Sequence, residues 1–388
     1  MNDGKSELTK FIILKRFHKD LATVKAHNWK FFFDLYHNCF HGCSYCLYGS
    51  SESLGKEVQT IAGINVNRLI LELDSMSTLG ITYLGATSDI YQPIEKRTGF
   101  TRSIIEVFLK KELPLVLATK SSLILRDVDI LSSLARKGLV EVSITMTTLD
   151  DKLARVLEPN APLPKERLTT ARKLTEEGIP VSFHVAPLIP GYFTDKMCQE
   201  FILALRETGS DGMYACILGI RKSYRDLLIG QVRKIYPILA NYLSAIYQEG
   251  KEVSNALAPF TEIVAKEMLR FSILCKKYNF GFYCEHIPAF DTSGRSNGIF
   301  RFKLPTTGDM FRYFVDQKIN EIGLNDLQKY LSNFSAVDED YRNLVTKLWK
   351  DGILFQDTNF MPLNDGLSTR YILKENIDLK IEEVMTCD

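Results

Sequence analysis

The chain has 388 residues, 45% hydrophobic and 24% charged, the composition of an ordinary globular protein long enough for one large domain and a smaller appendage. Its 48 basic and 47 acidic residues leave a net charge of +1, so no whole-molecule field draws it to nucleic acid or an anionic bilayer. The stretch from Met1 to Lys10 is polar where a secretory signal would be apolar, and no run of about 18 apolar residues is present to span a bilayer. Five of the eight cysteines are dispersed, which suits a reducing compartment, and a cytoplasmic protein with no membrane partner is expected.

Residues 1–29 read as an N-terminal extension with Phe11-Ile-Ile-Leu14 as its only apolar run. Phe31 to Tyr36 follows as a buried, aromatic-rich strand feeding into the loop His37 to Gly49, so that loop is expected at the strand's carboxyl end. Beyond it, apolar runs of β character alternate with helical stretches that end in Gly or Pro. Strands are expected at Ile81 to Gly85, Leu115 to Ala118, Val140 to Thr145, Val181 to Val185 and Met213 to Leu218. Helices are expected near Asn65 to Met76, Thr101 to Lys111, Val128 to Arg136, Pro164 to Glu177 and Asp195 to Glu207. Such alternation demands a parallel sheet with right-handed crossovers. Six strands with five helices between them predict an α/β fold, a partial (β/α)6 barrel whose sites lie on the loops after the strands.

Tyr224 to Lys277 reads as helical, with Leu227, Val232, Ile235, Leu239, Leu243 and Ile246 at helical spacings. Phe280 to Ile287 reads as a short strand, which closes a main region of residues 30–290 with added helices. A polar loop, Asp291 to Gly298, separates it from a small C-terminal region, residues 306–376. There a short helix over Ile322 to Leu331 precedes a longer one over Asp338 to Asp351, and Gly352 to Phe355 is expected to pair with Arg370 to Leu373 as a ribbon. That order is winged-helix-like. The longer helix mixes Asp338, Glu339 and Asp340 with Arg342, Lys347 and Lys350, which weakens a DNA-reading role and leaves peptide binding or packing open. Residues 377–388 form a polar tail.

The strongest chemical signal is Cys39-Phe-His-Gly-Cys43-Ser-Tyr-Cys46, three thiols within one loop. Iron–sulfur clusters are held by cysteine thiolates, four for a complete cubane, so three leave one iron open to a small ligand. Structural zinc takes four ligands, usually from paired Cys-x2-Cys units. Only one such pair is present, and with His37 or His41 as a fourth ligand zinc stays open on these residues alone. Thr87-Ser88-Asp89, expected at the end of the neighbouring strand, is either a plain turn or a hydroxyl-rich wall for amino or ribose groups of a cofactor. Thr119-Lys120 ends the next strand with a cation suited to a carboxylate or phosphate. Ser143 and Thr145 add hydroxyls at the fourth strand end, and Glu158 with Arg167 forms either a surface ion pair or a pocket corner. His184 to Gly191 ends the fifth strand in a rigid turn expected to line the top of the pocket.

The triplet directly after a first strand resembles the motif of the radical S-adenosylmethionine superfamily. Residues 30 to 195 further resemble the branch that contains spore photoproduct lyase and the DNA repair photolyase-like proteins. The matching pieces are the triplet with Tyr45 inside it, the Thr87-Ser88-Asp89 turn, Thr119-Lys120, Leu149-Asp150 to Pro162, and Ala186-Pro-Leu-Ile-Pro-Gly191. The resemblance implies that Cys39, Cys43 and Cys46 hold a 4Fe-4S cluster and that S-adenosylmethionine chelates its open iron. It implies that Ser88, Lys120 and Ser143 contact that cofactor, with Asp89 and Arg167 as further candidate contacts, and that a reducing partner such as flavodoxin or ferredoxin supplies electrons. The implied reaction is reductive cleavage to a 5′-deoxyadenosyl radical, which abstracts hydrogen from a substrate.

Two positions depart from the spore photoproduct lyase pattern. Ala86 stands where that enzyme has the cysteine that returns hydrogen to its substrate, and Leu47 replaces the second of its paired tyrosines, leaving Tyr45. Alanine cannot donate a hydrogen atom at a useful bond strength, so repair of the spore lesion by that route is not expected. Cys275 and Cys284 are the candidate replacement donors, Cys284 with Tyr45 making up the expected catalytic pair, although the plainer reading of both cysteines is as small buried hydrophobes. The substrate stays open between a nucleic acid base or sugar and a peptide or small metabolite. A non-catalytic zinc or iron–sulfur binding module is the third reading.

Overall fold

The computed structural model describes residues 15–16, 31–48, 57–61, 64–75, 80–248, 250–253, 256–284, 305, 307–334, 337–355, 360–364 and 368–373. Most of the expected N-terminal extension, the Asp291 to Gly298 loop and the tail 377–388 lie outside the described residues.

The buried apolar runs assemble into one eight-stranded sheet. In spatial order its strands are β1 (Lys15–Arg16), β2 (Phe31–Phe33), β3 (Thr82–Leu84), β4 (Leu115–Thr119), β5 (Val140–Thr145), β6 (Val181–Leu188), β7 (Gly212–Ile217) and β8 (Gly281–Cys284). β1 runs antiparallel to β2, and the other seven strands are parallel. Every residue of β4 and β5 is buried, as a sheet covered on both faces requires. With the parallel strands adjacent in chain order and crossovers of one hand, one face is covered by α1 (Val66–Asp74), α2 (Phe100–Lys111), α3 (Val128–Arg136), α4 (Pro164–Glu176), α5 (Asp195–Arg206) and α6 (Thr261–Lys277). Their starts are written locally. The Asn65 side chain accepts the Arg68 N–H, the Thr194 hydroxyl accepts the Met197 N–H, and Pro164 occupies a first-turn position where its missing N–H costs nothing. Among the described residues nothing pairs β1 with β8, so the sheet is a partial barrel. All six expected barrel strands are present, and the strand expected over Phe280 to Ile287, described as far as Cys284, joins them as β8, a seventh parallel member.

Three segments differ from the sequence expectation. Sheet pairing of the first strand stops at Phe33, and Tyr36–His37 pairs instead with Gln59–Thr60. Asp34 is the reason, because its carboxylate accepts the backbone N–H groups of Thr87 and Ser88 at 2.9 and 3.2 Å. The stretch Tyr224 to Lys277 is not helical throughout. Helices Arg225–Arg233 and Pro237–Gln248 are followed by a hairpin, Lys251–Val253 with Ala256–Ala258, which pairs with Ile220–Arg221. Gly250 allows that hairpin to close, since a Cβ there would lie 2.5 Å from the Ala258 carbonyl oxygen.

The C-terminal ribbon is the third difference. Thr369–Leu373 pairs with Phe360–Asn364, not with Gly352 to Phe355. Leu354 and Phe355 instead turn inward, with Phe355 packed edge-on against Tyr371 at 5.1 Å. A short apolar run can be a buried turn as readily as a strand. Helices Thr307–Asp316, Leu324–Leu331 and Glu339–Lys350 complete this region around Trp349, Phe360 and Tyr371, a core that shares no residue with the core of the main sheet.

Candidate active site

A cavity of about 610 Å³ opens at the carboxyl ends of β2 to β7, and Cys39, Cys43, Cys46, Tyr45, Ser88 and Lys120 all line it. The loop that carries the thiols is shaped by its own backbone and clamped from two sides. Gly42 has φ near 60°, the left-handed region that glycine enters without strain, and it turns the chain back between Cys39 and Cys43. Gln92 accepts the Phe40 N–H at 2.8 Å, the Ser44 N–H donates to the Leu157 carbonyl at 2.8 Å, and the Asn160 side chain donates to the Phe40 carbonyl at 3.0 Å. Helix Asp151–Leu157, which the sequence reading did not anticipate, provides this second clamp. Asp150 caps it by accepting the Lys152 N–H at 2.7 Å.

Asp89 is the junction between the cysteine loop and the strand ends. One carboxylate oxygen accepts the Tyr91 N–H and the Thr119 hydroxyl, each at 2.8 Å; the other accepts the Lys120 N–H at 2.7 Å and faces His41 Nε2 at 2.9 Å. Burial alone would raise its pKa, but His41 and these hydrogen bonds hold it well below the ordinary carboxylate range. Ser88 is engaged in the same way, with its hydroxyl donating to the Tyr36 carbonyl at 3.0 Å. The turn that the sequence offered as a cofactor wall therefore also fastens the loop to the sheet.

A buried polar chain runs behind Tyr45. The Tyr45 hydroxyl donates to Glu158, and Glu158 pairs with Arg167, whose side chain is 1% exposed. Arg167 also donates to the carbonyls of Pro162, at 2.8 Å, and Thr145, at 3.2 Å. The pair is thus a buried one that stiffens the site wall, and not a surface ion pair. Lys120 Nζ lies 5.9 Å from the centre of the Tyr45 ring, within cation–π range. Burial alone would push the Glu158 carboxyl up, but the charges of Arg167 and Lys120 hold it below its usual value. Burial also raises the thiols, Cys39 to about 11 and Cys43 to about 12, the latter opposed by the charge of Lys120.

Other expected site residues fall elsewhere. Ser143 is buried in β5 and is not among the lining residues, whereas Thr145, two positions on, is. Arg167 stands behind the wall. Cys284 ends β8, but its side chain lies outside the described residues, and Cys275 is fully buried in the main core. The expected turn from His184 is strand as far as Leu188, and His184, Ala186 and Pro187 line the cavity from within β6. Asp34, Gln92, Tyr214 and Cys216 also belong to the site or its clamps and were not singled out from sequence. Period-two alternation in Met213-Tyr214-Ala215-Cys216 was the signal that could have found the last two.

The thiols open together onto the cavity, as a polynuclear cluster would need. Among the described residues no group of three or more His, Cys, Asp or Glu side chains is gathered around a single-ion position. His41, one of the possible zinc ligands, holds Nε2 on Asp89 and leaves a buried Nδ1 without a hydrogen-bond partner, so its contact with Asp89 does not remove it as a ligand. Three cysteines on one loop, opening onto a shared cavity, suit a cluster in which each thiolate binds a separate iron.

Residues 34–203 match the family model described as the Radical SAM superfamily. An uncharacterized protein of Methanocaldococcus jannaschii is 26% identical over 241 residues, 59% of this chain and 87% of that protein. An uncharacterized protein of Acidianus two-tailed virus is 28% identical over 231 residues, 54% of this chain and 75% of that protein. Among solved structures, a mutant of spore photoproduct lyase with bound AdoMet and dinucleoside spore photoproduct matches with a TM-score of 0.53 at 16% identity. That match covers 66% of this chain and 76% of the other. Spore photoproduct lyase complexed with dinucleoside spore photoproduct matches with a TM-score of 0.52 at 15% identity, covering 68% and 78%. At these identities the likeness to solved structures is a likeness of fold.

Proposed function

We propose, from the match of residues 34–203 to the Radical SAM family model, that the chain uses a 4Fe-4S cluster held by Cys39, Cys43 and Cys46 to cleave S-adenosylmethionine reductively. The observation that carries the reading is the clamped loop presenting three cysteines to one cavity at the carboxyl ends of the parallel strands. Such a cofactor pair, when bound, supplies a 5′-deoxyadenosyl radical for hydrogen abstraction; the protein supplies binding, orientation and exclusion of water.

Within that reading, Lys120 gives a fixed cation for the cofactor carboxylate at the end of β4, held in place by its own backbone N–H on Asp89. Asp89 keeps the cysteine loop in register with β4 through His41, and Ser88 forms the neighbouring wall. Ser143 sits one layer deeper, and Arg167 acts through Glu158 on Tyr45. Tyr45 keeps its phenol proton across the physiological range, because burial and the adjacent Glu158 charge push its pKa well above 10. That proton is the one the hydroxyl donates to Glu158, so the role proposed for Tyr45 runs through this hydrogen bond.

For the substrate we infer a nucleic acid base or sugar, by likeness to spore photoproduct lyase, whose solved structures hold a dinucleoside. Ala86, which lines the cavity, argues against that enzyme's own repair chemistry here. A reductant such as flavodoxin or ferredoxin and a cytoplasmic setting follow from the same reading; among the described residues no helix is long and apolar enough to cross a membrane. Incubating the reconstituted protein with dithionite and S-adenosylmethionine tests the reaction class. Release of 5′-deoxyadenosine and methionine is expected, and zinc uptake with no nucleoside release would favour the non-catalytic alternative.

A further inference from the structure

The strand register places a second surface in the same cavity. Thr145 pairs with His184, His184 with Tyr214 and Tyr214 with Tyr283, so β5 to β8 contribute one transverse row. Thr119 opposite Ile144 puts Lys120 at the end of that row, next to Thr145. Lys120, Thr145, His184 and Tyr214 all line the cavity, so the row faces inward. Three of its members are rings in contact. His184 and Tyr214 lie 5.0 Å apart between centroids at 43°, and Tyr214 stacks on Tyr283 at 5.1 Å and 24°.

The layer one step deeper is made of small residues. By the same register it carries Ala118, Ser143, Ser182, Gly212 and Gly281. Gly212 is required by the close approach of β7 and β8, since a Cβ there would lie 2.5 Å from the Gly281 carbonyl oxygen. Across β5 to β8 the rings therefore stand at one level, with hydroxyls and glycines beneath them. Tyr214 is held between the two other rings, so the face turned to a ligand is that of His184 at the end of the stack, on the side of Thr145, where another planar ring can add by offset or tilted stacking.

We propose that the His184 ring, backed by Tyr214, forms a stacking wall for a planar heteroaromatic ring of the substrate, nucleobase-like or pterin-like in chemistry. The Thr145 hydroxyl, beside His184 in the row, offers the ring edge a hydrogen-bonding group that a plain phenyl ring could not use. The inference rests on the proposed radical chemistry only in calling the bound ring the substrate; the wall itself is set by the strand register.

Equilibrium dialysis with guanosine, thymidine and pterin, on the full chain as isolated and after reconstitution, tests it. At least one probe should bind, and His184→Leu and Tyr214→Leu should each weaken that binding by about tenfold or more. Tyr214→Phe, which keeps the ring, should bind as the wild type does. Iron content and S-adenosylmethionine binding should stay at wild-type levels in all three variants, which separates a lost ring wall from a lost fold or a lost cluster. Failure of all three probes to bind the wild type would overturn the proposal, as would unchanged binding in both leucine variants. Parallel loss of S-adenosylmethionine binding would also overturn it, by assigning the wall to the cofactor's adenine.

Discussion

At the scale of single residues, the wall behind Tyr45 shows how far burial can change the meaning of a charge. Glu158 and Arg167 were readable as an acid and a base nine positions apart, yet nothing in their spacing told a surface pair from a buried one. The helix Asp151–Leu157 and the Pro162 turn fold over them and decide it, leaving Arg167 2% exposed. Breaking a buried pair from one side strands the other charge. Glu158→Gln should therefore lower unfolding stability by about 3–5 kcal/mol, whereas Tyr45→Phe, which removes one hydroxyl donor, should cost about 1 kcal/mol; denaturant unfolding of both variants checks the order. The folded-state pKa of Glu158 lies below its unfolded value, so the folded chain binds fewer protons there. Its contribution to stability is present above a pH of about 4 and is lost as the pH falls through the lower folded-state value. The acid limb of a stability–pH profile should consequently be shallower in Glu158→Gln than in the wild type.

At the scale of elements, the parallel strands were legible because burial on both faces forces continuous apolar runs, as in Leu115–Thr119 and Val140–Thr145. Misreadings came where an apolar run outlasted its strand. Phe31 to Tyr36 is aromatic to its end, but Asp34 diverts it to hold the Thr87–Ser88 turn, and the Leu354–Phe355 pair is core filling next to a ribbon formed by other residues. Side-chain clamps of this kind join residues more than fifty positions apart, and no local pattern records them. Gly85 is the point at which strand geometry and site meet. Its φ of 91° is left-handed, and a Cβ would lie 2.7 Å from the Ala118 carbonyl oxygen, immediately before the turn that carries Ser88 and Asp89. Gly85→Ala should destabilise the fold by about 1–3 kcal/mol and reduce iron retained on reconstitution, read by thermal unfolding and iron assay.

At the scale of the whole molecule, two cores with no common residue support a division into a main region, proposed as 30–290, and a winged-helix-like C-terminal region, proposed as 306–376. All residues of the cavity belong to the first. A chain ending at residue 304 should accordingly keep its iron and its S-adenosylmethionine cleavage; loss of both would mean that the C-terminal region supports the site. The cysteine triplet, Lys120 and the Thr87 to Asp89 turn were legible from sequence because they follow strands in chain order. His184 and Tyr214 acquire meaning only from the register that aligns β6 with β7. The account turns on whether the clamped triplet carries a cluster. Anaerobic reconstitution of the wild type and Cys43→Ala, followed by iron and sulfide analysis and electron paramagnetic resonance of the reduced proteins, addresses this most directly. The account predicts about four irons per wild-type chain, with cluster content and 5′-deoxyadenosine formation both lost in Cys43→Ala; full iron content and undiminished 5′-deoxyadenosine formation in that variant would contradict it.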